Sequence, residues 1–167
     1  MRLISERTPA RQPVSWPSRA AAAVMVASAA TAASLAGDGD TAWYRGLAKP
    51  PWQPPPWAFA VVWTPLYASI AHAGGRALAR TRGARRRRLA ASLGMNLAVN
   101  ASWSWLFFRL RRPRLAAAAT VLLDISNADL VLCTARTDRA AAWSLAPYTA
   151  WSLFATTLAI DIGRRNS

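Results

Sequence analysis

Charged residues are confined to short segments between five stretches almost without charge: Ala20–Ala36, Pro54–Gly75, Leu89–Phe108, Leu115–Ala135 and Ala140–Ile160. Four of the five reach about 20 residues, roughly the length that carries an α-helix across a hydrocarbon core about 30 Å thick. The pattern predicts an all-α integral membrane bundle of five transmembrane helices, at about residues 20–36, 55–75, 89–108, 115–135 and 140–163. These helices form one membrane domain over residues 19–167. Residues 1–18, with Pro9, Pro13 and Pro17 among mixed charges, read as a disordered tail. The Ala-rich run after Arg19 mimics a signal peptide with A-x-A-like endings, but it is longer than most such segments and is read as a retained first helix. Pro65 falls inside the second span, a kink that membranes tolerate where neighbours re-satisfy the backbone.

Composition sharpens this picture. The 167 residues carry 21 Lys+Arg against 7 Asp+Glu, a net charge of +14, which first suggests nucleic acid. Nine Trp argue instead for membrane interfaces or aromatic pockets. The Arg85–Arg88 run reads as an anchor at anionic lipid headgroups, so the expected partner is the bilayer and not RNA or DNA. Thirteen basic residues fall on the side of the N-terminus and eight on the other, which places the N-terminus in the cytoplasm by the positive-inside rule. Cys133 is the single Cys, so a disulfide scaffold and a multi-cysteine zinc site are excluded, and it reads as an apolar filler. No nucleophile triad, phosphate-binding glycine loop or metal-ligand spacing occurs.

The densest feature runs from Trp43 to Phe59 and continues through Trp63 and Pro65 to Tyr67. Its prolines fix the backbone, so the rings are presented with little entropy left to lose on binding. Trp43, Trp52 and Trp57, with the Lys49–Pro50 pair, would form a lid, the plain alternative being an interfacial aromatic belt. Three stripes repeat at helical spacing: Phe59, Trp63 and Tyr67; Asn96, Asn100, Trp103 and Phe107; and Tyr148, Trp151 and Ala155. Asn in hydrocarbon is costly unless hydrogen-bonded, so the second stripe should face inward, as pocket or as helix–helix glue. Aromatic stripes suit a flat conjugated ligand, or plain packing.

Three ordered blocks carry a family resemblance: Trp43–Tyr67; Asn96–Trp103 with Phe107 and Phe108; and Pro147–Trp151 with Phe154–Thr156. With Leu122–Asp124, they resemble the tryptophan-rich sensory protein or translocator protein (peripheral-type benzodiazepine receptor) family, TspO/MBR, across about residues 20–166. The resemblance implies five membrane helices, a homodimer, and a location in the bacterial cytoplasmic membrane. It implies a pocket under the first loop for porphyrins such as protoporphyrin IX and haem, held as ligands with no obligatory cofactor, and a role in tetrapyrrole metabolism, sensing or stress response. By motif position Tyr44, Trp63, Asn100 and Trp151 line or hydrogen-bond in that pocket, Ala155 is a small residue against which ligands pack, and Asp124 matches an acidic position. With Tyr67, Trp103, Phe107 and Tyr148 from the stripes, these are the expected ligand-binding residues. A light- and oxygen-dependent porphyrin-degrading enzyme, with Trp63 and Trp151 as catalytic candidates, a transporter, and a structural membrane protein without ligand are the alternatives.

Some positions depart from the resemblance. Ala159 stands where the family carries Asn, and no Tyr lies between Leu158 and Arg164, so the cholesterol-recognition pattern is missing. His72 is a weak candidate axial haem ligand and the one metal-binding suggestion in the chain. Asn127 and Asp129 add polarity to the fourth span that the motif does not explain. Ala20–Ala36 and Gly74–Gly75 offer small surfaces that permit close approach between copies.

Overall fold

The computed structural model describes residues 16–37 and 41–166, and every regular element among them is helical. Five long helices set the architecture: α1 (Trp16–Ser34), α3 (Pro56–Ala79), α4 (Gly83–Ser104), α5 (Pro113–Ala135) and α7 (Ala146–Arg165). Two one-turn helices, α2 (Ala42–Gly46) and α6 (Arg139–Trp143), sit in the connections. Local chemistry marks the boundaries. Proline opens α3, α5 and α7 within the first two positions, where its missing N–H costs no helical bond. Thr41 caps α2 by accepting from the Tyr44 N–H at 3.2 Å, and Asp138 caps α6 by accepting from the Ala141 N–H at 3.1 Å.

Each of the five predicted spans coincides with a long helix, with shifts at the ends. The expected tail at 1–18 falls mostly outside the described residues, but Trp16–Ser18 already belong to α1. The segment Arg76–Arg88, which the predicted spans 55–75 and 89–108 leave as a connecting loop, holds only a three-residue turn, because Arg is a good helix former and both helices extend into the charged run. Gly83 takes φ +57° where α4 begins, a left-handed conformation that favours glycine. The last span divides at Ser144–Leu145 into α6 and α7. Beyond Ser104 the α4 backbone widens into a π-helical turn, Trp105–Arg109.

That turn ends with Leu110 N–H donating to Trp105 O at 2.9 Å and Arg112 N–H donating to Leu106 O at 2.9 Å, around Arg111 at φ 54°. Arg111 thus takes the left-handed position that glycine normally fills at a helix end.

The helices form a ring in the order α3, α1, α4, α5, α7, with α3 and α7 touching least. A Cβ on Gly75 would lie 3.0 Å from the Arg19 backbone, and one on Gly74 would lie 3.7 Å from the Ala22 Cβ. The small surface at Gly74–Gly75 is therefore used within the chain, to bring α1 against α3. The outward faces carry Val24, Val61, Met95, Val121, Leu122, Ile125, Leu132 and Leu153, all exposed. Exposed tryptophans stand at both ends of the bundle, Trp16 and Trp143 at one and Trp57 and Trp105 at the other. By length and hydropathy, α5 is the one helix among the described residues that passes as a membrane span. The other long helices are diluted by Ser, Thr, Trp, Pro or Arg.

A polar seam crosses the interior. Tyr67 Oη donates to Asn100 Oδ1 (3.1 Å), Asn100 Nδ2 donates to Tyr148 Oη (3.4 Å), and Tyr148 Oη donates to Asn96 Oδ1 (3.0 Å). Asn96 Nδ2 then donates to Asn127 Oδ1 (2.6 Å) and Ser126 Oγ (2.9 Å). Four helices are thereby tied at one level. Nearer the Arg-rich end, Asp129 accepts from Arg88 (2.5 Å) and from Ser92 Oγ (2.6 Å). Asp138 there accepts from Arg76 Nε at 3.0 Å and also pairs with Arg80. Asn127 and Asp129, unexplained by the sequence motif, are thus internal partners of α4.

Candidate ligand chamber

Between the seam and the first loop lies a cavity of about 300 Å³. Its aromatic wall comes from Phe59, Trp63 and Tyr67 on α3, Trp103 on α4, Phe107 and Phe108 on the π-helical turn, and Trp151 on α7. The π turn matters locally, since it lets two consecutive residues, Phe107 and Phe108, both face the chamber. Trp103 stacks on Phe107 with centroids 5.4 Å apart and planes 13° apart, and Phe59 meets Trp151 edge-on at 5.9 Å. Small residues hold the space open: Ala30 and Ala33 on α1, and Ala155 and Ala159 on α7.

The chamber's polar groups are few. The Trp103 and Trp151 indole nitrogens and the Ser152 hydroxyl are buried without a hydrogen-bond partner, although all three residues line the cavity. An unmatched buried donor costs about 1–3 kcal/mol, so these groups are places where a bound acceptor would be rewarded. The roof is the segment from Tyr44 to Pro56. Trp43 and Tyr44 pack edge-on against Phe107, and Trp52 packs against Phe154. Gln53 Nε2 donates to Tyr44 Oη at 3.0 Å, and Lys49 Nζ lies 4.2 Å from the Tyr44 ring centroid. Burial raises the Tyr44 pKa above 10.0, with the Gln53 hydrogen bond pulling the other way.

The structure brings Tyr44, Trp63, Tyr67, Asn100, Trp103, Phe107, Trp151 and Ala155 to the lining of one chamber. It places the other expected site residues elsewhere. Tyr148 sits below the floor, holding Asn96 and Asn100. Asp124 faces α7, where its Oδ2 accepts from Thr156 Oγ1 at 2.7 Å, because the helix turn carries Leu123 and Thr120 to the cavity instead. Trp57 is 68% exposed on the first turn of α3, outside the roof, as an interfacial residue would be. Lys49 and Pro50 line a shallow outer groove above the roof. His72 is exposed and away from the chamber, and no group of three or more His, Cys, Asp or Glu is placed to hold a metal among the described residues. Gln53, Phe108 and Ser152 were not anticipated. Gln53 was hidden among prolines, Phe108 by the assumption of regular α-helix, and Ser152 by its aromatic neighbour.

An all-helical bundle with an apolar exterior and an aromatic chamber under a proline-rich loop defines a helical membrane protein with an internal chamber. Comparison with known proteins makes this specific: the TspO/MBR family pattern matches residues 20–165, and the chain belongs to that family of membrane proteins. It is 32% identical to the Translocator protein of Homo sapiens over 127 residues, covering 74% of this chain and 75% of the relative. It is 33% identical over 129 residues to Tryptophan-rich protein TspO of Chlorobaculum tepidum, covering 74% and 79%. Against the Tryptophan-rich sensory protein of Cereibacter sphaeroides it is 32% identical over 124 residues, covering 74% and 77%.

Proposed function

We propose that the protein binds a porphyrin or a similarly flat, largely apolar molecule in the chamber under the first loop, with all five long helices crossing the bilayer. The observation that carries the binding reading is the chamber itself: eight aromatic side chains around one cavity, with two unpartnered indole N–H groups and the Ser152 hydroxyl among the residues that line it. Flat rings gain from aromatic faces and edges, and a carbonyl or carboxylate on the ligand would take the indole protons. The cavity is at the small end of ligand sites, so a tetrapyrrole would fill it. Support for five spans comes from the lengths, 19 to 24 residues, from the exposed aliphatic faces and from the tryptophans at both ends. The Arg-rich end is then cytoplasmic.

The test is a titration of the detergent-purified protein with protoporphyrin IX in the dark, following Trp emission, and then illumination of the same sample. Saturable quenching with an unchanged porphyrin spectrum after illumination supports a binding or sensing role. Light-dependent loss of the porphyrin band, faster than for free ligand, would make the protein a degrading enzyme. Absence of saturable quenching would contradict the binding reading.

A further inference from the structure

One side chain at the far end of the chain hydrogen-bonds to the roof. Asn166 immediately follows α7, and its carboxamide pairs with both backbone groups of Ala48: Oδ1 accepts from the Ala48 N–H at 2.9 Å, and Nδ2 donates to the Ala48 carbonyl at 2.9 Å. The second Nδ2 hydrogen goes to the Ile162 carbonyl at 2.8 Å, fixing the amide to the end of α7. The match needs a carboxamide. Asp accepts but cannot donate, and Ala does neither.

Four prolines, Pro50, Pro51, Pro54 and Pro55, leave the segment Leu47–Pro55 with few backbone donors. Leu47 and Gln53 use theirs inside the loop region, on Tyr44 O and Pro50 O. The Ala48–Asn166 pair instead spans 118 positions and ties the roof to α7, which itself lines the chamber through Trp151, Ser152 and Ala155.

We infer that Asn166 is a latch that positions the first loop over the chamber and sets how fast ligands exchange. Because the pair lies outside the cavity, it is present whether or not a ligand is bound beneath. Its loss therefore raises the rate of opening in both states while leaving their relative stability unchanged. Two exposed hydrogen bonds correspond to a change of about 5- to 30-fold in the opening equilibrium.

The test has two arms, and only the second rests on the porphyrin reading. In the ligand-free protein, amide exchange at Ala48 should be about 5- to 30-fold faster in Asn166→Ala. The increase should be smaller in Asn166→Asp, which keeps the acceptor. Unchanged exchange would overturn the latch whatever the protein binds. In dark stopped-flow mixing with protoporphyrin IX, association and dissociation should accelerate by the same factor, leaving Kd within about twofold of the parent. A weakened Kd with an unchanged association rate would overturn the gating role and make Asn166 a support of the pocket. Unchanged rates alongside faster Ala48 exchange would also overturn it, by showing entry elsewhere. If Asn166→Ala does not fold, Asn166→Asp carries both arms. Failure of the parent to bind porphyrin would refute the ligand assignment, and Ala48 exchange would then decide the latch alone.

Discussion

Asn96 is the centre of the seam beneath the chamber, and replacing it by Ala should be among the costliest single changes in the bundle. Its side chain is fully buried and makes three hydrogen bonds, to Tyr148, Asn127 and Ser126. Interhelical hydrogen bonds in membrane proteins average about 0.6 kcal/mol, so the three together contribute about 2 kcal/mol. What remains behind adds to this. The Asn127 carbonyl loses its donor in a residue whose Nδ2 already has no partner, and the Tyr148 hydroxyl proton loses its acceptor. Ser126 is spared, because its hydroxyl also donates to the Leu123 carbonyl at 2.8 Å. With orphaned groups at about 1 kcal/mol each, the expected cost is about 2–4 kcal/mol. Reversible unfolding in mixed micelles, followed by Trp emission, measures it. Pairing the change with Tyr148→Phe in a double-mutant cycle should return a coupling of about 0.5–1.5 kcal/mol. A cost below about 0.5 kcal/mol with no coupling would refute the idea that the seam holds the helices in register.

Three further outcomes follow from the same geometry. Arg111→Gly should stabilise the protein by about 0.5–1 kcal/mol, since a left-handed residue between the π turn and α5 is relieved of its Cβ; a lower thermal midpoint would contradict this. Asp138→Asn should cost about 1–3 kcal/mol in the same unfolding assay, because Arg76 and Arg80 lose a carboxylate, a figure reduced by their 28% and 43% exposure. For Tyr44 the folded pKa is raised, so its contribution is intact below pH 10 and stability falls as pH rises through 10 towards the folded value, where the unfolded chain ionises first. Tyr44→Phe should remove that component of the alkaline loss, as read by unfolding between pH 9 and about 11.

The five long helices were legible because charge, apart from Asp124 and Asp129 within α5, is concentrated towards their ends, and aromatic spacing on α3, α4 and α7 located three walls of the chamber. The ends were less legible. The Arg85–Arg88 run looks like a loop by polarity, yet arginine is compatible with helix, and only the packed structure shows α4 starting at Gly83. The π turn has no hydrophobic-period signature, so Phe108 was out of phase on a regular helix. Asp124 illustrates a different limit: an acidic residue in a span reads equally as a functional group or as one paired with a neighbouring helix, and here Thr156 on α7 donates to Oδ2 while Oδ1 is buried without a partner. Asn127 and Asp129 needed partners from α4 before their polarity made sense.

The measurement that bears most directly on the chamber compares the parent with Ala155→Leu in a dark protoporphyrin IX titration, with unfolding of each measured in parallel. Ala155 is half-buried on the chamber wall, so Leu adds volume to a cavity of about 300 Å³ at little cost to the surrounding packing. Saturable quenching in the parent, weakened at least about tenfold in a variant whose stability is within about 1 kcal/mol, is the predicted result. Equal affinity in parent and variant would place the ligand outside the chamber and contradict the proposed site.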